Sequence, residues 1–107
     1  MNIVPLHKTP TKGEAQKMVH ELVAKGLVSL SKHAKERMKQ RGITMKQILT
    51  CLAKGRVTEN PVLANKSGNA GGYDITVERS TAGDYLRVGA CLRFSQRVMV
   101  ITAIKIK

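Results

Sequence analysis

The sequence predicts an α+β domain in which N-terminal helices pack on a small antiparallel β-sheet. Up to Gly55 the apolar residues fall into segments with helical spacing, opened by Ser or Thr and closed by Gly. From Arg56 onward the period changes to two, the repeat of strands with one face buried. The helical segments come first and the strands follow without interruption, an order that gives helices on one side of a meander rather than a parallel α/β fold.

Residues 1–10 carry Pro5 and Pro10 and read as an extended lead-in. Thr11 and Glu14 have the spacing of a capping box, which opens a first helix. Its apolar face is Ala15, Met18, Val19, Leu22 and Val23, and Gly26 is placed to end it. His20 lies on the polar face and reads as a surface or boundary residue. A second helix starts at Ser31, a good N-cap, and stops at Gly42. Thr44 and Gln47 form another capping box, opening a third helix with Ile48, Leu49, Leu52 and Ala53 inward and Gly55 at its end.

Arg56 to Glu59 predicts a short strand stopped by Asn60-Pro61. Residues 65–72 hold Asn and Gly in turn-forming density and read as a flexible loop. Tyr73 to Arg79 alternates, with Tyr73, Ile75 and Val77 on one side and Asp74, Thr76 and Glu78 on the other. After a turn over 80–84, Tyr85 to Phe94 is the clearest strand: Leu86, Val88, Ala90, Leu92 and Phe94 face one way, and Tyr85, Arg87, Gly89, Cys91 and Arg93 the other. Ser95-Gln96 connects tightly to a last strand over 97–106, apolar on both faces around Thr102, as expected of an interior strand.

The chain has 107 residues, enough for one domain, and a formal net charge of +12 from 19 Lys+Arg against 7 Asp+Glu. Such an excess bears on partners rather than on fold: they should be polyanionic, nucleic acid first and an acidic protein second. Aromatic content is 3%, namely Tyr73, Tyr85 and Phe94, too few for a platform of stacked bases, so phosphate and sugar contacts are expected to dominate. Cys51 and Cys91 lie far apart, and with three scattered His they lack a zinc spacing, so both read as small buried hydrophobes in a reducing compartment. No metal or other cofactor is expected. The N-terminus lacks the apolar core of a signal peptide and no run reaches membrane-spanning length, which predicts a cytoplasmic protein without membrane contact.

His33, Arg37 and Arg41 recur every fourth residue and form one stripe on the second helix, beside an apolar stripe of Ala34 and Met38. Lys32 adds a cation at the start of that helix. An imidazole, which titrates near neutrality, beside two permanently charged guanidiniums suits binding or cleavage of a phosphodiester. A solvated basic face with a capping or packing histidine is the plainer reading of the same residues, and spacing alone does not separate them.

The segment His33-Ala-Lys-Glu-Arg37-Met-Lys-Gln-Arg41-Gly-Ile43, with the later Val98-Met-Val-Ile-Thr102, resembles the bacterial family called domain of unknown function 4258. The resemblance covers about residues 29–104. It divides the chain into an N-terminal extension with one amphipathic helix (1–28) and the family domain (29–107). That family in turn resembles RelE/ParE/BrnT-type toxins, and more loosely the barnase, colicin and RelE-like ribonucleases. The resemblance implies a RelE-like fold, a metal-independent endoribonuclease of the mRNA-interferase kind, and neutralisation by an acidic antitoxin or immunity protein. It also implies that Thr102 is the last-strand hydroxyl presented to the phosphate; a threonine favoured simply as a strand former is the other reading.

Metal-free RNA cleavage uses the 2′-hydroxyl as nucleophile and needs a base, an acid for the departing 5′-oxygen and cations for the phosphorane. His33 is the best acid or base, with Arg37 as phosphate clamp and Thr102 as the third catalytic candidate. Arg41, Lys32, Arg87 and Arg93 are the expected substrate-binding cations. Glu78 and Asp74, on a strand face, are lesser candidates for the base, and Tyr85 for a proton donor. Two alternatives stay open: a nucleic-acid-binding module without catalysis, and a phage- or plasmid-encoded interaction or inhibitor protein.

Overall fold

A computed structural model describes residues 9–64, 71–81 and 83–106 of the chain. The expected loop over 65–72 therefore lies largely outside the described residues. Within them the order is α1 (Lys12–Ala24), β1 (Val28–Leu30), α2 (Lys32–Arg41), α3 (Met45–Lys54), β2 (Arg56–Val57), β3 (Val62–Leu63), β4 (Gly72–Thr81), β5 (Asp84–Arg93) and β6 (Arg97–Lys105). The fold is α+β, and among the described residues no helix is long and apolar enough to cross a membrane.

The helix boundaries follow their caps. Thr11 accepts from the Glu14 amide while Glu14 accepts from the Thr11 amide, and Thr44 and Gln47 repeat the arrangement at α3. Ser31 caps α2, and Gly42 closes it in the left-handed region at φ 65°. Gly55 ends α3 differently. Its backbone is extended, and a Cβ there would lie 2.3 Å from the Cys51 carbonyl oxygen and 2.8 Å from that of Glu78. It is a close-approach glycine that lets α3 run straight into the sheet.

The sheet order is β1-β6-β5-β4-β2, with β3 also pairing β4. The long pairs β4–β5 and β5–β6 are antiparallel, but β1 runs parallel to β6, Val28 opposite Val98 and Leu30 opposite Val100. The expectation of a purely antiparallel sheet is corrected by this pair: the sheet is mixed. β6 is interior, as expected, flanked by β5 and by β1. Its second apolar face is only half covered, since Met99, Ile101 and Ile104 are half-buried.

Leu86, Val88, Ala90 and Leu92 of β5, with Tyr73, Ile75 and Val77 of β4, are buried on one face as the alternation requires. One core cluster joins these β5 residues, Ile75 and Val77 to Val98, Val100 and Ala103 of β6, Ile48, Cys51 and Leu52 of α3, and Ala34 of α2. Ala15, Val19 and Leu22 of α1 belong to the same cluster, so α1 is part of this core. Burying a side chain such as Val19 or Leu22 is worth about 1.5–3 kcal/mol. Polar contacts fix α1 further: the His20 Nε2–H donates to the Gly55 carbonyl at 3.0 Å, and Gln16 Oε1 accepts from the Val57 amide at 3.1 Å. His20 is thus a half-buried tether at the boundary, as its position on the helix suggested.

Phe94 does not continue the inward face of β5. The chain turns over Phe94–Gln96, the Gln96 amide donating to the Arg93 carbonyl at 2.9 Å, and Phe94 is left 46% exposed. Cys91, counted on the outward face, is nevertheless fully buried.

Candidate functional site

A β-bulge assembles the region around the second helix. Gly89 pairs with Thr102 and Ala90 with Val100, so Ile101 is the extra residue of β6. Its carbonyl accepts from the Ser31 hydroxyl at 3.3 Å, and the Ser31 Oγ itself accepts from the Ala34 amide at 3.0 Å. The Ser31 amide donates to the Val100 carbonyl at 2.9 Å. One serine therefore caps α2 and pins its first turn, with Lys32 and His33, to the bulge next to Thr102.

Arg37 donates from Nε to His33 Nε2 at 3.2 Å and from Nη1 to Gln40 Oε1 at 3.3 Å. Nε2 of the imidazole is the acceptor in this contact. His33 is exposed and Arg37 half-buried.

Arg41 shares the stripe but not its surroundings. Its Nη1 donates to the Ala103 carbonyl at 2.7 Å, which ties the last turn of α2 to β6. At least one of its donors is committed to the fold. Lys32 is exposed on the first turn. Thr102 is half-buried, opposite Gly89, where a Cβ would come within 3.0 Å of the threonine methyl. The glycine makes room for this side chain.

The strand cations fall into two groups. Arg87 is directly opposite Glu78 and pairs with it, Nε to Oε2, at 2.9 Å. Thr58 also donates to Glu78, at 3.1 Å, and the Tyr85 hydroxyl is a third donor. Burial alone would raise the Glu78 carboxyl, but the hydrogen bonds from Arg87, Tyr85 and Thr58 outweigh it and hold the group below the ordinary glutamate range. The bond to Glu78 in turn pushes the Tyr85 phenol up. Arg93 is separate: it lies opposite Arg97 at the end of the β5–β6 hairpin.

Asp74, the other carboxylate on this face, is raised by burial. Burial pushes the Cys51 thiol up to about 12, only partly opposed by Arg79, and raises Cys91 as well; neither thiol forms a disulfide. Among the described residues no group of three His, Cys, Asp or Glu side chains could hold a metal ion.

The fold and site define a small basic α+β domain whose second helix carries an exposed His–Arg pair and is pinned to a bulged strand. The chain belongs to the family called domain of unknown function 4258, whose pattern matches residues 30–105 and so covers α2 through β6. No curated protein and no solved structure matches the chain. α1 and most of β1 precede the matched residues.

Proposed function

We propose that this protein is a metal-independent endoribonuclease of the toxin type, with His33 as the proton-transfer group and Arg37 as the phosphate clamp. The observation that carries the reading is the Arg37–His33 hydrogen bond, exposed on a helix whose start is fixed to the bulge before Thr102. An RNA phosphate taken up by Arg37 would release His33 Nε2 to accept the 2′-hydroxyl proton. The 2′-oxygen then attacks phosphorus, the bond to the 5′-oxygen breaks, and that oxygen leaves with a proton from solvent or a neighbouring acid. The products are a 2′,3′-cyclic phosphate and a 5′-hydroxyl. Lys32, Arg41's remaining donors and Arg87 would guide the backbone, and Thr102 would offer its hydroxyl to the phosphate. The net charge of +12 suits RNA and equally an acidic antitoxin or immunity partner.

The test is incubation of the protein with mixed RNA in EDTA, followed by mapping of the ends. Cyclic or 3′-phosphate ends support the proposal; intact RNA, with and without ribosomes, opposes it. A second reading, a nucleic-acid binder that does not cut, draws on Glu78. Three donors occupy this carboxylate, which makes it a poor general base to complement His33. That reading predicts salt-sensitive RNA binding with no cleavage.

A further inference from the structure

The β5–β6 hairpin ends in an arrangement that the fold does not need. Arg93 and Arg97 face each other directly across the ladder, and like charges so placed destabilise a strand pair. Among the described residues neither has an ion-pair or hydrogen-bonded side-chain partner; the ion pairs present are Arg87–Glu78 and Lys105–Asp84. The sequence offers no local relief either, since it contains no Asp or Glu after Asp84.

The turn between them is also strained. Gln96 sits at φ 62°, in the left-handed region that a glycine would occupy freely. Such strain persists where the surroundings hold it, and it gathers at functional sites. Here the turn is held at its base, with the Phe94 amide donating to the Gly71 carbonyl at 2.8 Å. The Phe94 ring meets the buried Tyr73 edge to face, centroids 5.4 Å apart at 80°, while nearly half of Phe94 stays exposed. The tip therefore presents a half-exposed ring held against Tyr73 and, on the two residues that flank the turn, guanidiniums with no counter-ion among the described residues.

We propose that this tip is a nucleotide-contact site for single-stranded RNA: Arg93 and Arg97 grip one backbone phosphate, and Phe94 stacks on the neighbouring base. Residues directly opposite in an antiparallel pair have Cβ atoms about 4.5–5.5 Å apart, close enough for both side chains to converge on one phosphate. A bound phosphate would also remove the repulsion between them. One ring makes no stacking platform, but a single stack with a paired clamp fixes the strand's position. The inference rests on the nucleic-acid reading of the protein and is independent of cleavage.

The test measures binding to two probes, a short fluorescent single-stranded oligoribonucleotide and inorganic polyphosphate, which carries the charge without the bases. His33→Ala protein is the background, so that the RNA stays intact. Combining Arg93→Ala with Arg97→Ala should weaken both probes and lower the salt dependence of RNA binding by about one unit of log–log slope. Phe94→Leu should weaken RNA alone, by ~5–150-fold for one lost stack, and Phe94→Trp should restore it. Circular dichroism confirms that each variant is folded. The inference is overturned if the arginine variant keeps the salt slope, or if Phe94→Leu affects both probes alike or neither. Loss of cleavage as an activity, with binding at the tip retained, would instead remove only the nuclease proposal.

Discussion

Arg37 and Arg41 stand one turn apart on the same stripe, and the structure gives them opposite fates under truncation. Arg41→Ala leaves the Ala103 carbonyl without the donor that reaches it at 2.7 Å and loosens α2 from β6. A hydrogen bond from a charged donor contributes about 1.5–3 kcal/mol, and Arg41 is half-buried, so about 2 kcal/mol is expected. Among the described residues Arg37 bonds only within its own helix, to His33 and Gln40, at 3.2 and 3.3 Å on an exposed surface. Helix pairs of this spacing contribute about 0.2–0.5 kcal/mol each, so Arg37→Ala should cost under about 1 kcal/mol. Urea unfolding followed by far-ultraviolet circular dichroism reads both values. With a slope of about 1–3 kcal/mol per molar urea, the Arg41 variant should unfold roughly 1 M earlier. Arg41→Lys should recover part of the loss, since a single ammonium can reach one carbonyl. Equal midpoints for the two alanine variants would refute the assignment of Arg41 to the fold.

Further outcomes follow from single contacts. The folded Glu78 carboxyl lies below its ordinary range, so its contribution to stability is complete above that range and is lost as pH falls through the folded value. Glu78→Gln should flatten the acid limb of the stability–pH profile, and an unchanged limb would count against the Arg87–Tyr85–Thr58 cluster. Cys51, with its thiol pushed up to about 12, and fully buried Cys91 should resist iodoacetamide at pH 8 while folded and react in urea; fast labelling of the native protein would contradict their burial. Gly89→Ala, which brings a Cβ within 3.0 Å of the Thr102 methyl, should lower RNA cleavage more than it lowers stability if the threonine hydroxyl serves the phosphate.

The helices were legible because caps and breakers are local. Thr11–Glu14, Ser31, Gly42 and Thr44–Gln47 act on neighbours within one turn, and each sits where the sequence placed it. The two faces of β4 and β5 were legible for the same reason. β1 and β3 were not: three and two residues show no period, and β1 exists through its pairing with β6, seventy positions away from Val28 to Val98. Alternation also ran one residue too far, into Phe94, because a turn begins there and the pattern alone carries no stop.

At the candidate site, spacing put His33, Arg37 and Arg41 on one stripe but could not tell which arginine faces a strand edge. The Glu78 cluster was within reach of the sequence. Thr81 lies opposite Asp84, so counting three residues outward from each gives Glu78 against Arg87. The missing information was the tightness of the turn, which was read as 80–84. The Ser31–Ile101 contact had no sequence signal, because a bulge changes register without marking the residues that make it.

The most direct test of the central claim is the single-turnover rate of RNA cleavage in EDTA by His33→Ala protein, with RNA affinity measured on the same sample. If His33 moves the proton, the rate falls by ~10²–10⁴-fold while affinity and fold stay close to those of the unaltered protein. Cleavage that continues at the original rate, or a variant that loses activity only because it no longer folds, would contradict the assignment of His33.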